Sequence, residues 1–259
     1  MAYIILDWYD TPRHYDIVFD TDTSLEFNFL QRLWREYGRS TGRRVLEPAC
    51  GTGRLLARFA KTGCDVNGFD ASRAMVHYTR QRLRRRRLKG ELTVGRLEAF
   101  AYPKPFDFTF NLVSTFKYLL TEHDARSHLQ CIADVLRPGG IYVLGFHLTD
   151  YTNNRRQRER WVGRRGRTQV VCNIQGWPAD ARKRIERVRS RLIVHEGARE
   201  KRFETSWLFR TYSASQFKRL LSSVAALEHI AAYDFHYDIR VPRKLGDCLD
   251  TIVVLKRRG

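Results

Sequence analysis

The chain has 259 residues, of which 43% are hydrophobic and 12% aromatic. That length and composition exclude a disordered or collagen-like chain and allow one large domain or two small ones. The 47 basic and 28 acidic residues give a net charge of +19, so nucleic acid, membrane headgroups and anionic small molecules are all admissible partners. The basic residues are 38 Arg and only 9 Lys. Phosphate binding alone does not require so steep a bias, so drift in codon usage competes with a polyanion partner as its cause. Five scattered cysteines with no C-x-x-C spacing suggest neither a zinc site nor a disulfide framework, and no metal is expected. The opening MAYIILDWYD lacks a basic leader, and no apolar run nears the ~20 residues of a membrane span. The expectation is a soluble, cytoplasmic protein.

In chain order, Leu25, Phe29, Leu30, Leu33, Trp34 and Tyr37 fall on one helical face. Strands are then predicted over Arg43–Glu47, Asp65–Asp70, Glu91–Gly95, Phe106–Asn111 and Ile141–His147. The helices between them carry Leu55, Leu56 and Phe59, then Met75, Thr79 and Leu83, then Leu129, Ile132 and Leu136. This alternation predicts a doubly wound, mostly parallel α/β sheet. Residues 150–211 break the pattern with three β stretches, over Thr168–Ile174, Val188–His195 and Arg202–Tyr212, read as an antiparallel insertion. A helix over Ser213–Ser223 and strands over Ala226–Tyr237 and Asp250–Lys256 complete a seven-stranded sheet. The expected organisation is a single domain: a helical cap (1–42), a core (43–148), the insertion (150–211) and a C-terminal helix with two strands (212–259).

Chemistry concentrates at Glu47-Pro48-Ala49-Cys50-Gly51-Thr52-Gly53, between a strand and a helix. Glycines there admit a ligand to the backbone, and the free N–H groups of a helix start face it. The spacing is neither G-x-G-x-x-G nor a P-loop. Asp70 ends the next strand, where a carboxylate can accept two ribose hydroxyls. Cys50 reads as a packing residue, not a nucleophile. Arg84–Arg87 read as solvated, whereas Arg155–Arg167 opens the insertion and is the candidate polyanion segment.

LEPACGTGR, VNGFDAS, FDFTFNLVSTFKYL and VLRPGGIYVL, in this order, resemble the sequence motifs of class I S-adenosylmethionine-dependent methyltransferases. The likeness covers residues 13–148 well and the C-terminal strand pair loosely. It implies a Rossmann-like fold, S-adenosyl-L-methionine as cofactor and methyl transfer to N or O of a small molecule. It implies that Glu47 stands near the methionine amino group, with Ala49, Gly51 and Gly53 along the donor, Asp70 on the ribose, and Ala71 and Met75 beside adenine. Arg96 stands where the family often has an adenine-binding Asp, which leaves Leu97 and Glu98 as candidates. Asn111 and Ser114 would line the methionine side, and Tyr15 resembles a tyrosine that caps the donor. The insertion resembles the lid of amine and sugar-amine methyltransferases.

His147, at the end of the fifth strand, is the candidate general base, the bland alternative being a hydrogen bond to Asp150. Tyr118, Tyr151 and Trp207 are candidates to shape the substrate pocket. Two other readings stay open: a nucleic-acid methyltransferase using the basic surface, and a non-catalytic S-adenosylmethionine-binding protein. The Asp/Asn-Pro-Pro-aromatic tetrad of exocyclic-amine methylases is replaced by Asn111-Leu112-Val113-Ser114, which disfavours the first. Oligomeric state is not legible.

Overall fold

The computed structural model describes residues 2–20, 22–39 and 42–259. Its elements run β1 (Ile4–Ile5), a 3-10 turn (Trp8–Asp10), α1 (Pro12–Phe19), α2 (Ser24–Tyr37), β2 (Arg44–Pro48), α3 (Arg54–Lys61), β3 (Asp65–Asp70), α4 (Arg73–Arg85), β4 (Glu91–Val94) and β5 (Phe106–Asn111). They continue with a second 3-10 turn (Thr115–Tyr118), α5 (Glu122–Val135), β6 (Leu136–His147), β7 (Gln157–Arg165), β8 (Thr168–Gly176), β9 (Ile185–Glu196), β10 (Arg199–Arg210), α6 (Ala214–Ser222), β11 (Leu227–Tyr233) and β12 (Asp250–Arg257).

Seven strands form the main sheet in the order β11-β12-β6-β5-β2-β3-β4. The five from β6 to β4 are parallel, and β12 and β11 join antiparallel. Strand periodicity splits the core in two, because successive side chains point to opposite faces. Ile141 and Val143 pack with Phe108 and Phe110 under α2, α3 and α4. Tyr142 and Leu144 pack with Phe106 and Phe146 under α5 and α6. Every residue of β5 is buried, as a central strand covered on both faces requires.

The predicted strands at Asp65–Asp70 and Phe106–Asn111 coincide with β3 and β5. The α2 face differs from expectation: Leu25 is exposed, and Phe27 joins Phe29, Leu30 and Leu33 in the core. β6 already begins at Leu136, so Arg137–Gly140 belong to this strand, with a left-handed bend at Gly139 (φ 77°).

A second sheet, ordered β1-β10-β9-β8-β7, is built from the insertion and the start of the chain. Its inner face buries Val170, Cys172, Leu192, Val194 and Phe203 against Trp8, Ile17 and Val18. The expected division at residue 42 therefore does not hold as a packing boundary: β1 and α1 share a core with the insertion, and α2 packs on the main sheet. β7 itself was not anticipated, nor were α1 and β1. α1 lies so close on β7 that a Cβ at Gly163 would sit 1.9 Å from the Ile17 carbonyl oxygen.

Asp16 on α1 joins the parts. Its fully buried carboxylate pairs with Arg82 of α4 through one oxygen and with Arg165 of β7 (2.8 Å) through the other, which also accepts from the Tyr78 hydroxyl (2.7 Å). Asp20 adds a second carboxylate 3.0 Å from Arg82. Arg165, part of the candidate polyanion segment, is thus an internal anchor, whereas Arg84–Arg87 are exposed as expected. Asp16→Ala leaves Arg82 buried beside only Asp20, and should cost about 3 kcal/mol of stability. Arg165→Ala, whose side chain is half exposed, should cost less than about 1 kcal/mol. Urea denaturation of both variants checks the ranking.

Candidate active site

β2 ends by turning sharply into α3, with Ala49 (φ 51°), Gly51 (φ 53°) and Gly53 (φ 67°) all left-handed. Only glycine adopts that geometry without cost, so alanine at position 49 stores some backbone strain. The turn is pinned to its surroundings by three bonds. Cys50 N–H donates to the Phe69 carbonyl (2.9 Å), the Thr79 hydroxyl to the Gly51 carbonyl (2.7 Å), and Gly51 N–H to Asp70 Oδ2 (2.9 Å). Asp70 Oδ1 accepts from Ser72 N–H (2.8 Å), so one carboxylate links the glycine turn to the start of α4. Burial raises the Asp70 pKa, and the two N–H bonds work in the opposite direction.

Glu47 is buried at the end of β2 and accepts from Leu56 N–H (3.1 Å). Burial pushes its carboxyl up to about 8, with the nearby Arg54 charge offsetting only part of the effect. The Arg54 guanidinium is itself held in a fork by Glu26 (2.9 and 3.2 Å). Asn111 donates to the Pro48 carbonyl (2.7 Å), while its Oδ1 is buried with no donor among the described residues. Val113 (φ 62°) and Ser114 (φ 63°) follow as two consecutive left-handed residues, an unfavourable conformation for a β-branched side chain. Ser114 Oγ accepts from the His147 N–H (3.2 Å), which ties the ends of β5 and β6 together.

The remaining predicted cofactor positions are distributed unevenly. Ala71 is exposed next to Asp70, and Met75 is fully buried at the start of α4, its N–H capped by Ser72 (3.2 Å). Leu97 packs on the α5 side of the core, and its carbonyl bonds His128 (2.9 Å). Glu98 is committed to an ion pair with Arg96. The Cys50 thiol is buried and its pKa raised by desolvation, which fits packing and not nucleophilic chemistry.

Aromatic rings gather beside this turn. Trp8 packs edge-on against Tyr15 (5.3 Å between centroids) and tilted against Trp207 (4.7 Å), and the Tyr9 and Tyr118 hydroxyls meet at 2.9 Å. Tyr118 also packs on Phe209 (4.8 Å). Burial pushes Tyr15 up to about 12 and Tyr9 and Tyr118 further, so all three stay neutral phenols near pH 7. Lys117 is buried and paired with Glu186 of β9 (2.5 Å), with its ammonium 5.2 Å from the Phe209 ring. Tyr15, Tyr118 and Trp207 are therefore brought together, and Tyr151 is not. Its hydroxyl is held by Thr211 (2.9 Å) and Gln216 (3.0 Å) at the start of α6, because Gln216 is fixed there by the capping box with Ser213.

His147 Nδ1 lies 2.5 Å from Asp250 Oδ1, the residue opposite it on β12. The bland alternative named Asp150, which instead binds Thr152. Sequence reasoning also missed Trp8, Tyr9, Lys117 and Glu186, and placed Thr79 only on a buried helix face without its bond to the turn. The aromatic density of Trp8-Tyr9 through Tyr15 was the one visible signal for any of them. Among the described residues no group of His, Cys, Asp and Glu is placed to hold a metal, and no helix is long and apolar enough to cross a membrane.

Residues 45–140 match the family model described as a methyltransferase domain. The matched segment is similar to that domain over about a third of the chain. It spans β2 to the first part of β6 and carries the glycine turn, Asp70, Asn111 and Ser114. The chain is 30% identical over 100 residues to the dTDP-3-amino-3,4,6-trideoxy-alpha-D-glucopyranose N,N-dimethyltransferase of Streptomyces venezuelae, covering 39% of this chain and 40% of that protein. It spans half or less of the length of the curated relatives it matches. Solved structures extend the likeness in fold to the whole chain. An S-adenosylmethionine-dependent methyltransferase from Clostridium acetobutylicum ATCC 824 superposes with a TM-score of 0.79 at 18% identity, covering 98% of this chain and 100% of that one. Streptomyces venezuelae DesVI gives 0.78 at 20%, covering 99% and 100%. The matched segment thus sits in a Rossmann-like α/β fold.

A Cβ at Gly53 would lie 2.3 Å from Thr79 Cγ2, on a backbone already left-handed. Gly53→Ala should therefore destabilise the domain by roughly 2–3 kcal/mol. Gly53→Ala combined with Thr79→Ser, which removes the clashing methyl, should recover about half of that, leaving the φ penalty. Thermal unfolding of the two variants measures the split.

Proposed function

We propose that the protein is an S-adenosyl-L-methionine-dependent methyltransferase that methylates an amine nitrogen or hydroxyl oxygen of a small molecule. The observation that carries the reading is the pair of strand-end carboxylates around the glycine turn: Asp70, bonded to Gly51 and Ser72 N–H, and Glu47, buried at the end of β2, with the unsatisfied Asn111 Oδ1 at the end of the neighbouring β5. A cationic methionine ammonium would add to the Arg54 charge and favour the Glu47 carboxylate, Asn111 Oδ1 would gain a donor, and the free lone pairs of Asp70 suit ribose hydroxyls. When bound, the sulfonium supplies an electrophilic methyl group. The chain's own tasks are to hold the acceptor in line, exclude water and receive its proton.

Three features of the chain suit those tasks. The Trp8, Tyr15, Tyr118 and Trp207 rings would shape and dry the acceptor site, with the second sheet as its lid. Asp250 would orient His147 through Nδ1, leaving Nε2 to accept a proton from an amine or hydroxyl. The names of relatives that dimethylate amino sugars, and of neighbours described as sugar N-methyltransferases, support an amine acceptor.

Two outcomes test the reading. In titration calorimetry Asp70→Ala should weaken S-adenosylmethionine binding by roughly 2–4 kcal/mol. It should also lower stability by about 1–2 kcal/mol, since two backbone N–H groups lose their acceptor. In a methyl-transfer assay over a panel of amines, His147→Ala should cut turnover ~10²-fold with cofactor affinity unchanged. A folded Asp70→Ala that binds normally overturns the cofactor assignment, and a His147→Ala that turns over normally removes the base.

Glu47 adds a pH signature. Its carboxyl titrates at about 8 folded against 4.5 when solvated, so the folded form holds the extra proton between those values. Stability from this group is full below pH 4.5 and declines as pH rises toward 8. A bound ammonium favours the carboxylate instead. Cofactor affinity should therefore rise from pH 6 to 8, with up to one proton released on binding at pH 7. Glu47→Gln should abolish both effects, as read from calorimetry in buffers of different ionisation enthalpy.

A further inference from the structure

Side chains on the second sheet alternate between the core and solvent. The cross-strand register puts Arg158 and Arg160 of β7, Asn173 and Gln175 of β8, and Arg189 and Arg191 of β9 on the outer face together. They line a groove of about 520 Å³, with Arg158 and Arg160 as one wall, Arg189 and Arg191 as the other and the two amides on the floor. Nothing in the sequence indicated this convergence, because β7 and β9 are separate Arg-rich stretches joined only by register. Arg158 and Arg160 are exposed and have no ionic partner among the described residues. Glu204 neutralises part of the other wall (2.6 Å to Arg191, 3.8 Å to Arg189). Glu159, also at the groove, accepts from the Trp161 indole (3.1 Å). The outer face continues with Arg187, stacked 3.9 Å from the Trp177 ring centre, and Arg191 lies 4.6 Å from that of Tyr3.

We propose that this groove is a docking site for single-stranded RNA, separate from the methyl-transfer site. The walls stand two strand spacings apart, about 9.5 Å, and guanidinia repeat along each wall every two residues, about 6.7 Å. One phosphate backbone fits between them. Its unpaired base edges can then reach Asn173, which donates and accepts, and the Gln175 amide N–H, its Oε1 being held by Arg189 (2.7 Å), and bases can stack on guanidinium planes held over aromatic rings. A duplex keeps those edges paired and rests on the rim. Ser206, opposite Arg189, adds a hydroxyl suited to the ribose 2′-OH. The inner face of the same sheet packs on Trp8, so RNA bound here lies on the side away from the aromatic cluster and is not positioned as the methyl acceptor.

The test is fluorescence anisotropy of a labelled 12-nucleotide oligouridine with the full chain between 50 and 300 mM salt. Four guanidinium contacts predict a slope of about −3 in log K against log salt, at ~0.7 per phosphate on a single strand. Arg158→Gln with Arg160→Gln should flatten the slope by about 1.4 and weaken binding about tenfold at 100 mM salt. Arg84→Gln with Arg86→Gln removes equal charge from the exposed end of α4 and should change neither by more than about twofold. A duplex of equal length should bind more weakly, and phosphatidylglycerol vesicles should not compete. The proposal is overturned if the α4 pair weakens RNA binding as much as the groove pair, if the groove pair, folded by circular dichroism, has no effect, if duplex binds as tightly, or if vesicles bind and RNA does not.

Discussion

Among the described residues, the carboxylate of Asp16 is the most buried charged link between three parts of the structure. It sits on α1, yet its partners come from α4 of the main sheet's flank and from β7 of the second sheet. Burying one charge is costly, and the buried Arg82 guanidinium does most to offset it, with the half-exposed Arg165 and the Tyr78 hydroxyl adding less. The docking of the second sheet on the core is therefore specified geometrically as well as hydrophobically. A sheet that slid by one residue would offer β7's opposite face to α1 and place Arg164 or Gly166 where Arg165 must stand. The contact of α1 with Gly163 reinforces the same register through shape.

Around the glycine turn the structure departs from what local preferences would select. Left-handed Ala49, Val113 and Ser114, an unsatisfied Asn111 oxygen and a carboxyl pushed up to about 8 lie at the ends of neighbouring strands. Each is unfavourable alone, and together they occupy the carboxyl edge of the parallel strands, where open α/β sheets bind ligands. The packing elsewhere tolerates this because β5 and β6 are buried along most of their length on both faces.

The main sheet was legible because its signals are local. β3 and β5 fall where apolar runs between turn residues place them, and the glycine turn stands where a strand meets an amphipathic helix. Other features required partners far along the chain. β7 offers the core little beyond Trp161, Gly163 and Arg165, so no apolar alternation marks it, and its charge suggested a polyanion-binding segment. Asp250 is 103 residues from His147 and is brought opposite by the antiparallel register of β12 on β6. Tyr151 was grouped with Tyr118 and Trp207 by residue type, whereas Gln216 and Thr211 hold it at α6. Leu97 and Glu98 were chosen by position after the third strand, and the structure commits one to the core and the other to Arg96.

The pairing of β1 with β10 has a consequence for the order of folding. Ile4 meets Phe203 and Leu6 N–H donates to the Glu204 carbonyl (3.1 Å), so residues at the head of the chain complete a sheet whose other strands arrive some 150 to 200 positions later. During synthesis, the indole of Trp8 and the apolar side of α1 have no cover until β8 to β10 emerge. The main sheet's parallel core up to β6 can condense first, leaving the amino-terminal segment as a loose hydrophobic strap. Closing that strap over a long loop is slow, since loop entropy is lost before its contacts form. Nascent chains truncated before β10 would thus expose a sticky amino-terminal patch, a natural target for chaperones that survey unfinished proteins.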